Sequence, residues 1–180
     1  MSNPVKLVAA GRPAVAPLDT PTDLAPAGVA AICEQLNVII ADAFALFLKT
    51  KNFHWHVSGP HFRDYHLMLD EQAEQILESI DPLAERVRKL GGETLRSISH
   101  INRIQSIKDN NDEFVSPVDM LRELMADNKQ IAASLRKCHE TTEEHKDAAT
   151  AGLLETTIDD TEKRTWFLFE ASRKGEAAGR

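Results

Sequence analysis

Imidazole and carboxylate side chains recur at helical spacing in the first half of the sequence. His66 and Asp70 are four residues apart, so their side chains lie on the same face of a helix and can bind one cation. Asp81 and Glu85 form a second pair with the same spacing, and His54 could supply a further imidazole. This mixture of nitrogen and oxygen ligands suits Fe(II) and, less selectively, zinc or manganese.

The two pairs cannot bind the same ion within one chain. Their midpoints are fifteen residues apart, which is about 22 Å along a helix that rises ~1.5 Å per residue. If two copies of this helix pack antiparallel across a two-fold axis near Gln75 and Ile76, the first pair of one copy faces the second pair of the other. The spacing therefore predicts two equivalent metal sites between subunits. The alternative, that both pairs belong to an ordinary solvated helix face, stays open at this point.

Long amphipathic helices are predicted to position these side chains. Apolar residues recur every three or four positions along four segments, and the alternation typical of strands is almost absent. The predicted helices span about residues 28–57, 61–90, 117 to at least 138, and 147–173. This pattern indicates an all-α four-helix bundle. The longer crossover over 91–116 is expected to contain a short extra helix over 95–104.

One residue conflicts with the pattern of the second helix. Pro82 removes a backbone donor there and crowds the carbonyl group of Glu78. Asp81 could cap a new helix at this point. The apolar stripe nevertheless continues through Ile80 and Leu83 without a change of phase. We therefore predict a single, kinked helix.

Length, composition and charge are those of an ordinary globular protein. The 180 residues suffice for one domain, and the net charge of -7 argues against a nucleic-acid clamp and leaves room for a cation store. We predict a flexible Pro- and Ala-rich extension over 1–26, the bundle over 27–173 and a short tail over 174–180. No secretory signal and no apolar run near the ~20 residues of a membrane span is found, which predicts a cytoplasmic protein. Cys33 and Cys138 lack a metal or redox spacing and are expected to be buried.

Several of these residues resemble the signature of the Dps family, the ferritin-like proteins of starved bacterial cells. The resemblance is carried by His54-Trp55, Gly59, Phe62, His66-x-x-x-Asp70-Glu71, Asp81-x-x-x-Glu85 and Gly91-Gly92. The helical pattern matches over roughly 28–173. The sequence contains no Glu-x-x-His pair, which excludes the bundle-core di-iron site of ordinary ferritins.

The resemblance implies a ferritin-like bundle that assembles into a hollow homo-dodecamer with a ferroxidase site at each two-fold interface. It implies that the iron ligands, which also serve as the catalytic groups, are His54, His66 and Asp70 of one subunit with Asp81 and Glu85 of its mate, and that Trp55 lies beside the metal. The implied activity is oxidation of Fe(II), preferably by hydrogen peroxide, with storage of the ferric product as a mineral. Such chemistry would protect DNA from oxidative damage.

An acidic turn precedes the fourth helix. Glu143, Glu144 and Asp147 lie where the family forms its three-fold pores, so we predict that they line a path for iron. The acids of the family at the positions of Ala148 and Gly152 are missing. The alternative is a polar turn in which Asp147 caps the helix.

Two other functions remain open at this stage. The family also contains DNA-condensing, nucleoid-associated members, but here Lys6 and Arg12 are balanced by two acids in the N-terminal extension, and residues 173–180 carry three cations against one acid. We therefore do not favour DNA binding, although a dodecamer would multiply weak sites. The other alternative is a structural or regulatory bundle without metal.

Overall fold

The computed structural model describes residues 18–173 of the chain. Within this range the chain forms five helices and no strands. The helices are α1 (Pro26–His56), α2 (Phe62–Lys89), α3 (Ile98–Ile104), α4 (Pro117–Glu144) and α5 (Ala148–Ser172). The predicted extension up to residue 17 and the predicted tail over 174–180 lie outside the described residues.

The four long helices form the predicted bundle. Helix α1 packs along α2 and α4, α4 packs along α5, and α2 contacts α5 more sparsely. One core is formed by fully buried side chains from all four helices: Ile32, Leu36, Leu46, Leu69, Ile76, Leu83, Leu121, Leu124, Leu135, Leu154 and Leu168. Burial of a side chain of this size contributes about 1.5–3 kcal/mol. The all-α, four-helix prediction is confirmed.

Local signals in the sequence explain several helix ends. Gly59 (φ +97°) and Gly91 (φ +85°) follow α1 and α2 in the left-handed region, which glycine adopts most easily. The Ser116 hydroxyl accepts a hydrogen bond from the backbone N–H of Asp119 at 3.3 Å and so caps α4. Helix α1 begins at Pro26, two residues before the predicted start, because proline is well suited to a first helical position.

Helix α2 is continuous through its proline. Pro82 is exposed, and the helix extends seven residues beyond it. Ile80 and Leu83 stay buried on either side, so the core-facing stripe is unbroken. The prediction of one helix rather than two is therefore confirmed, and Asp81 lies inside the helix rather than at a cap.

The crossover is attached to α1 by a buried carboxylate. Asp42 is fully buried, and its oxygens accept hydrogen bonds from the backbone N–H groups of Ser106 (2.5 Å) and Ile107 (3.0 Å) and from the Ser106 hydroxyl (2.7 Å). A buried carboxylate is costly unless its oxygens have donors, and here they do. The predicted short helix is present as α3. It is three residues shorter than the predicted 95–104, because Ser97 caps it and the helix begins at Ile98.

Helix α1 is unusually apolar. Its most apolar 18-residue window has a mean hydropathy of 1.7, so by length and composition alone it could cross a membrane. In the bundle 56% of that window is buried, because α1 contacts α2, α3 and α4. A helix that packs at the centre of a bundle can be as apolar as a membrane span. The expectation that no apolar run approaches the length of a span therefore does not hold for α1 by composition alone.

Candidate metal centre

The end of α1 and the start of α2 bring two predicted ligands into contact. His54 lies in the last turn of α1, and His66 lies in the second turn of α2. Their imidazole rings stack with centroids 3.7 Å apart. The Nδ1 atom of each ring lies 2.8 Å from the backbone carbonyl oxygen of the other residue. Two reciprocal hydrogen bonds therefore hold the pair.

These hydrogen bonds determine which ring nitrogen is free. A carbonyl oxygen only accepts, so Nδ1 of both His54 and His66 must carry the proton and donate it. In a neutral ring the Nε2 atom then keeps its lone pair. Histidine ligands of metals are usually oriented in this way, with the other nitrogen donating to a carbonyl or carboxylate. Both imidazoles are thus preorganised to bind a metal through Nε2.

A carboxylate lies next to the two imidazoles. Oδ1 of Asp70 is 3.8 Å from Nε2 of His54. The ammonium group of Lys51, on α1, donates a hydrogen bond to the same carboxylate oxygen. This hydrogen bond, with the charge of Lys51 and weaker contributions from His54 and His66, lowers the pKa of Asp70 below its ordinary value. Asp70 therefore stays ionised, as a metal ligand must.

The structure does not bring the second predicted pair to this place. Asp81 and Glu85 lie on later turns of α2, where both are exposed, and Glu85 forms an ion pair with Lys89 at 3.0 Å. Among residues 18–173, no three His, Cys, Asp or Glu side chains are arranged so that one ion fits between them. The five-ligand site between two subunits stays a prediction.

Large apolar side chains close to the ligands in sequence are exposed. Trp55, which follows His54, is 59% exposed. Phe62 is also exposed, and its ring centroid lies 5.1 Å from that of His66. Leu77, on α2, is exposed as well. Phe62 and Leu77 are fifteen residues apart on α2, about 22 Å along the helix, so these side chains do not form one contiguous patch. That Trp55 lies beside a bound metal stays a prediction.

The acidic turn before α5 divides into two parts. Asp147 is buried, and its Oδ1 accepts hydrogen bonds from Nη2 of Arg86 (2.6 Å) and from the backbone N–H of Thr150 (3.0 Å). This carboxylate caps α5, which is the alternative considered for it above. Glu143 and Glu144 are exposed at the end of α4. Of the three predicted pore residues, only Glu143 and Glu144 are therefore exposed, and the path for iron stays a prediction for these two.

Sequence reasoning missed several charged groups. Lys51 lies three residues before His54 on the same helix, and that spacing could have identified it. Lys49 is buried, and its Nζ atom lies 2.8 Å from Oδ2 of Asp127. Burial raises the pKa of Asp127. Burial also lowers the pKa of Arg164 to about 10. No local pattern predicts such long-range buried groups.

Known proteins resemble this chain along most of its length. DNA protection during starvation protein 2 of Bacillus anthracis is 31% identical over 76% of this chain and 93% of that protein. An uncharacterised low temperature-induced protein of a Nostoc species is 34% identical over 76% of this chain and 77% of that protein. The X-ray structure of Dps from Thermosynechococcus elongatus, 27% identical, superposes with a TM-score of 0.81 and covers 86% of this chain and 98% of that chain. DpsC from Streptomyces coelicolor, also 27% identical, gives a TM-score of 0.86 over 93% and 100% of the two chains.

The fold is that of a ferritin-like protein. The family model described as a ferritin-like domain matches residues 33–177. The relatives and the solved structures narrow this class, and the chain belongs to the Dps family of ferritin-like proteins. The resemblance seen in the sequence is therefore confirmed.

Proposed function

We propose that this protein oxidises Fe(II) at sites between subunits and stores the ferric product inside a hollow shell. The observation that carries the proposal is the preorganised pair His54 and His66, with both Nε2 atoms free and the ionised Asp70 beside them. These three groups do not enclose an ion in the single chain; together with acids of a second copy they would bind Fe(II) and leave a position open for the oxidant. The two hydrogen bonds also join α1 to α2, but that link does not require an ionised carboxylate beside the free Nε2 atoms, so the carboxylate supports metal binding.

The proposal assigns Asp81 and Glu85 of a second copy to complete the site. At 100° per residue, Asp70, Leu77 and Asp81 lie within about 40° of one another around α2. Leu77 is exposed on that face in the single chain. An exposed leucine between two ligand pairs supports an antiparallel contact of α2 with α2 of a symmetry mate, which would bury it.

Iron is the substrate of the proposed reaction. Hydrogen peroxide, the preferred oxidant in this proposal, takes one electron from each of two ferrous ions, and its O–O bond breaks. The oxygen atoms end in water or ferric oxyhydroxide, and protons are released when water is incorporated into the mineral. Asp70 must exchange its bond to Lys51 for a bond to the metal, while the carbonyl contacts keep both imidazoles in place.

The proposed assembly is a homo-dodecamer in the cytoplasm. Its shell would separate iron and peroxide from DNA, and so prevent oxidative damage. Glu143 and Glu144, exposed at the end of α4, would attract ferrous ions toward a path into the shell. Zinc or manganese could occupy the same imidazole and carboxylate ligands, because that ligand set selects weakly among these metals.

Stopped-flow measurement of Fe(II) oxidation by the assembled protein tests the proposal. We expect His66→Ala combined with Asp70→Ala to slow the initial peroxide-dependent rate at least about tenfold, since even groups that only orient a metal's ligands contribute ~10–100-fold. His100→Ala, on α3, is the matched control and should leave the rate unchanged. An unchanged rate in the double variant would refute the proposed site. Faster oxidation by dioxygen than by peroxide would refute the proposed oxidant alone.

DNA condensation is a second candidate function. Relatives of this chain are named DNA protection during starvation proteins. Removal of iron would also protect DNA, so the name does not require that the protein binds DNA. The net charge of -7 disfavours direct binding to DNA. A gel shift at low salt distinguishes the two functions, and we expect no shift at micromolar shell concentration.

A further inference from the structure

Each half of the proposed site between subunits carries a lysine that is paired with one of its acids. On the half with the two imidazoles, the ammonium group of Lys51 donates a hydrogen bond to Oδ1 of Asp70. On the other half, Nζ of Lys89 lies 3.0 Å from Oε2 of Glu85. Asp81 has no basic group within salt-bridge distance in the part of the chain that the structure describes. Two of the three predicted acidic ligands are therefore paired within their own chain.

Water screens these two ion pairs in a single chain. The exposed fractions of the lysine side chains are 23% for Lys51 and 60% for Lys89, and exposed ion pairs contribute little to stability. This would change when α2 packs antiparallel on α2 of a second copy, because the contact excludes water from both pairs. In such a less polar environment opposite charges attract, and like charges repel, more strongly.

The charge of the closed site depends on the two lysines. The proposed contact brings Asp70 of one copy toward Asp81 and Glu85 of the other. Three carboxylates carry a charge of -3, and the ammonium groups of Lys51 and Lys89 reduce it to -1 when both imidazoles are neutral. Without the lysines, repulsion between the carboxylates would oppose the contact. One Fe(II) ion carries the same charge as the two ammonium groups, so exchange of the lysines for the ion leaves the charge of the site unchanged.

We propose that Lys51 and Lys89 are counter-ions that allow two copies of α2 to pack together without a metal ion, and that a divalent cation replaces them when it binds. An ammonium group has no acceptor for a metal, so both lysines act only through Asp70 and Glu85 and are positioning residues. Their long, flexible side chains can turn away without movement of the helices. This inference rests on the proposed function, because it assigns a role to residues around the same site.

The alternative is that both lysines form ordinary surface ion pairs. In that case the contact between copies would not depend on them, with or without a metal ion. Lys51 is nineteen residues from Asp70 in sequence, so the packing of α1 on α2 brings this ammonium group to the one carboxylate beside the two imidazoles. Lys89 is four residues after Glu85, a spacing that pairs them on any helix. The role of Lys89 therefore depends on the second copy, and the test has to measure assembly.

Assembly of the chelator-treated protein tests the proposal. Lys51→Met combined with Lys89→Met removes both positive charges and keeps side chains of similar length. Sedimentation velocity is measured in the urea concentration at which the wild-type shell is half dissociated, and circular dichroism follows the folding of the chain in the same samples. We expect the apparent dissociation constant of the variant to be at least about tenfold higher than that of the wild type, since charge pairs in an interface have effects of this size.

Two changes should restore the assembly of this variant, because each compensates for the missing positive charges. Zinc, used as a redox-inert divalent ion, should return the dissociation constant close to the wild-type value. Asp70→Asn with Glu85→Gln, added to the lysine variant, should do the same without metal because it removes two of the repelling charges. Lys129→Met with Lys137→Met, at exposed positions of α4, is the matched control and should assemble like the wild type.

Equal dissociation constants for the lysine variant and the wild type would overturn the proposal. So would weaker assembly that neither zinc nor the two amide substitutions restore, or an equally large loss in the control. The measurement does not involve iron oxidation. Slow oxidation by His66→Ala with Asp70→Ala, together with unchanged assembly of the lysine variant, would therefore refute this inference alone. An unchanged oxidation rate together with the expected loss of assembly would refute the proposed function alone.

Discussion

His54 and His66 each donate their Nδ1 proton to the backbone carbonyl oxygen of the other residue, at 2.8 Å in both directions. The same two contacts join α1 to α2 and aim both Nε2 atoms. Ligand orientation and helix packing are therefore one geometric feature here. A substitution of either ring removes a ligand and also a link between two helices.

Lys51→Met should tighten metal binding at the His54 site. Lys51 holds the carboxylate that a metal must take over, so its removal eliminates a competing cation. We expect the affinity for zinc, used as a redox-inert probe, to rise several-fold. Stability should change little, because partly exposed ion pairs contribute ~0–1 kcal/mol. Lys129→Met, at an exposed position of α4, is the control, and weaker binding by the Lys51 variant would contradict the prediction.

Lys49→Met should destabilise the fold strongly near neutral pH. It leaves Asp127 and Glu123 without their shared buried cation, and breaking a buried pair costs about 3–5 kcal/mol. Chemical denaturation at fixed protein concentration measures this cost. Adding Asp127→Asn should restore part of the loss, because the amide carries no charge.

The cost of Lys49→Met should also depend on pH in a defined direction. Burial raises the pKa of Asp127 in the folded protein, and loss of Lys49 removes a charge that lowers it. A carboxyl group whose pKa is raised by folding contributes stability below its unfolded pKa and loses it as pH rises through the folded pKa. The variant should therefore lose less stability near pH 4 than near pH 7. If the variant lost more stability near pH 4 than near pH 7, the carboxyl group of Asp127 would not be the main cause of the loss.

The residues of the acidic turn should have two different roles. Glu143 and Glu144 should act in iron entry, and Asp147 should stabilise the fold. Glu143→Gln with Glu144→Gln should slow iron uptake several-fold at low salt, and the effect should shrink as salt screens the charges. Asp147→Ala should instead lower the denaturation midpoint, since a lost helix cap costs ~0.5–2 kcal/mol and Arg86 loses its partner. Uptake rates that respond to Asp147→Asn but not to the two glutamates would reverse this assignment.

Two glycine substitutions should have opposite effects on stability. Gly91 has φ +85°, and a Cβ atom there would lie 2.9 Å from the carbonyl oxygen of Thr20, so Gly91→Ala should destabilise by at least about 1–2 kcal/mol. Gly152 lies inside α5 with nothing within 4 Å of a Cβ atom. Gly152→Ala should therefore stabilise by about 0.5–1 kcal/mol. Thermal unfolding of the two variants side by side tests both signs.

The helices and the ligand pairs could be predicted from the sequence. Stripes of apolar residues and capping signals such as Ser116 are local, and helical spacing alone places His66 beside Asp70 on one face. The apolar residues around Asp42 indicate that it is buried, but its tie to the crossover could not be predicted from them. Its partners are more than sixty residues away.

The sequence by itself determined which residue types repeat at helical spacing, and hence an all-α bundle with candidate metal ligands. Only the tertiary structure decided how those ligands are held: the ring protons of His54 and His66 on each other's carbonyl groups, Lys51 on Asp70, and Asp147 as a cap instead of a free acid. The physical reason is that hydrogen bonds and charge pairs depend on distances between helices. Those distances follow from packing of the whole core, which no short stretch of sequence specifies.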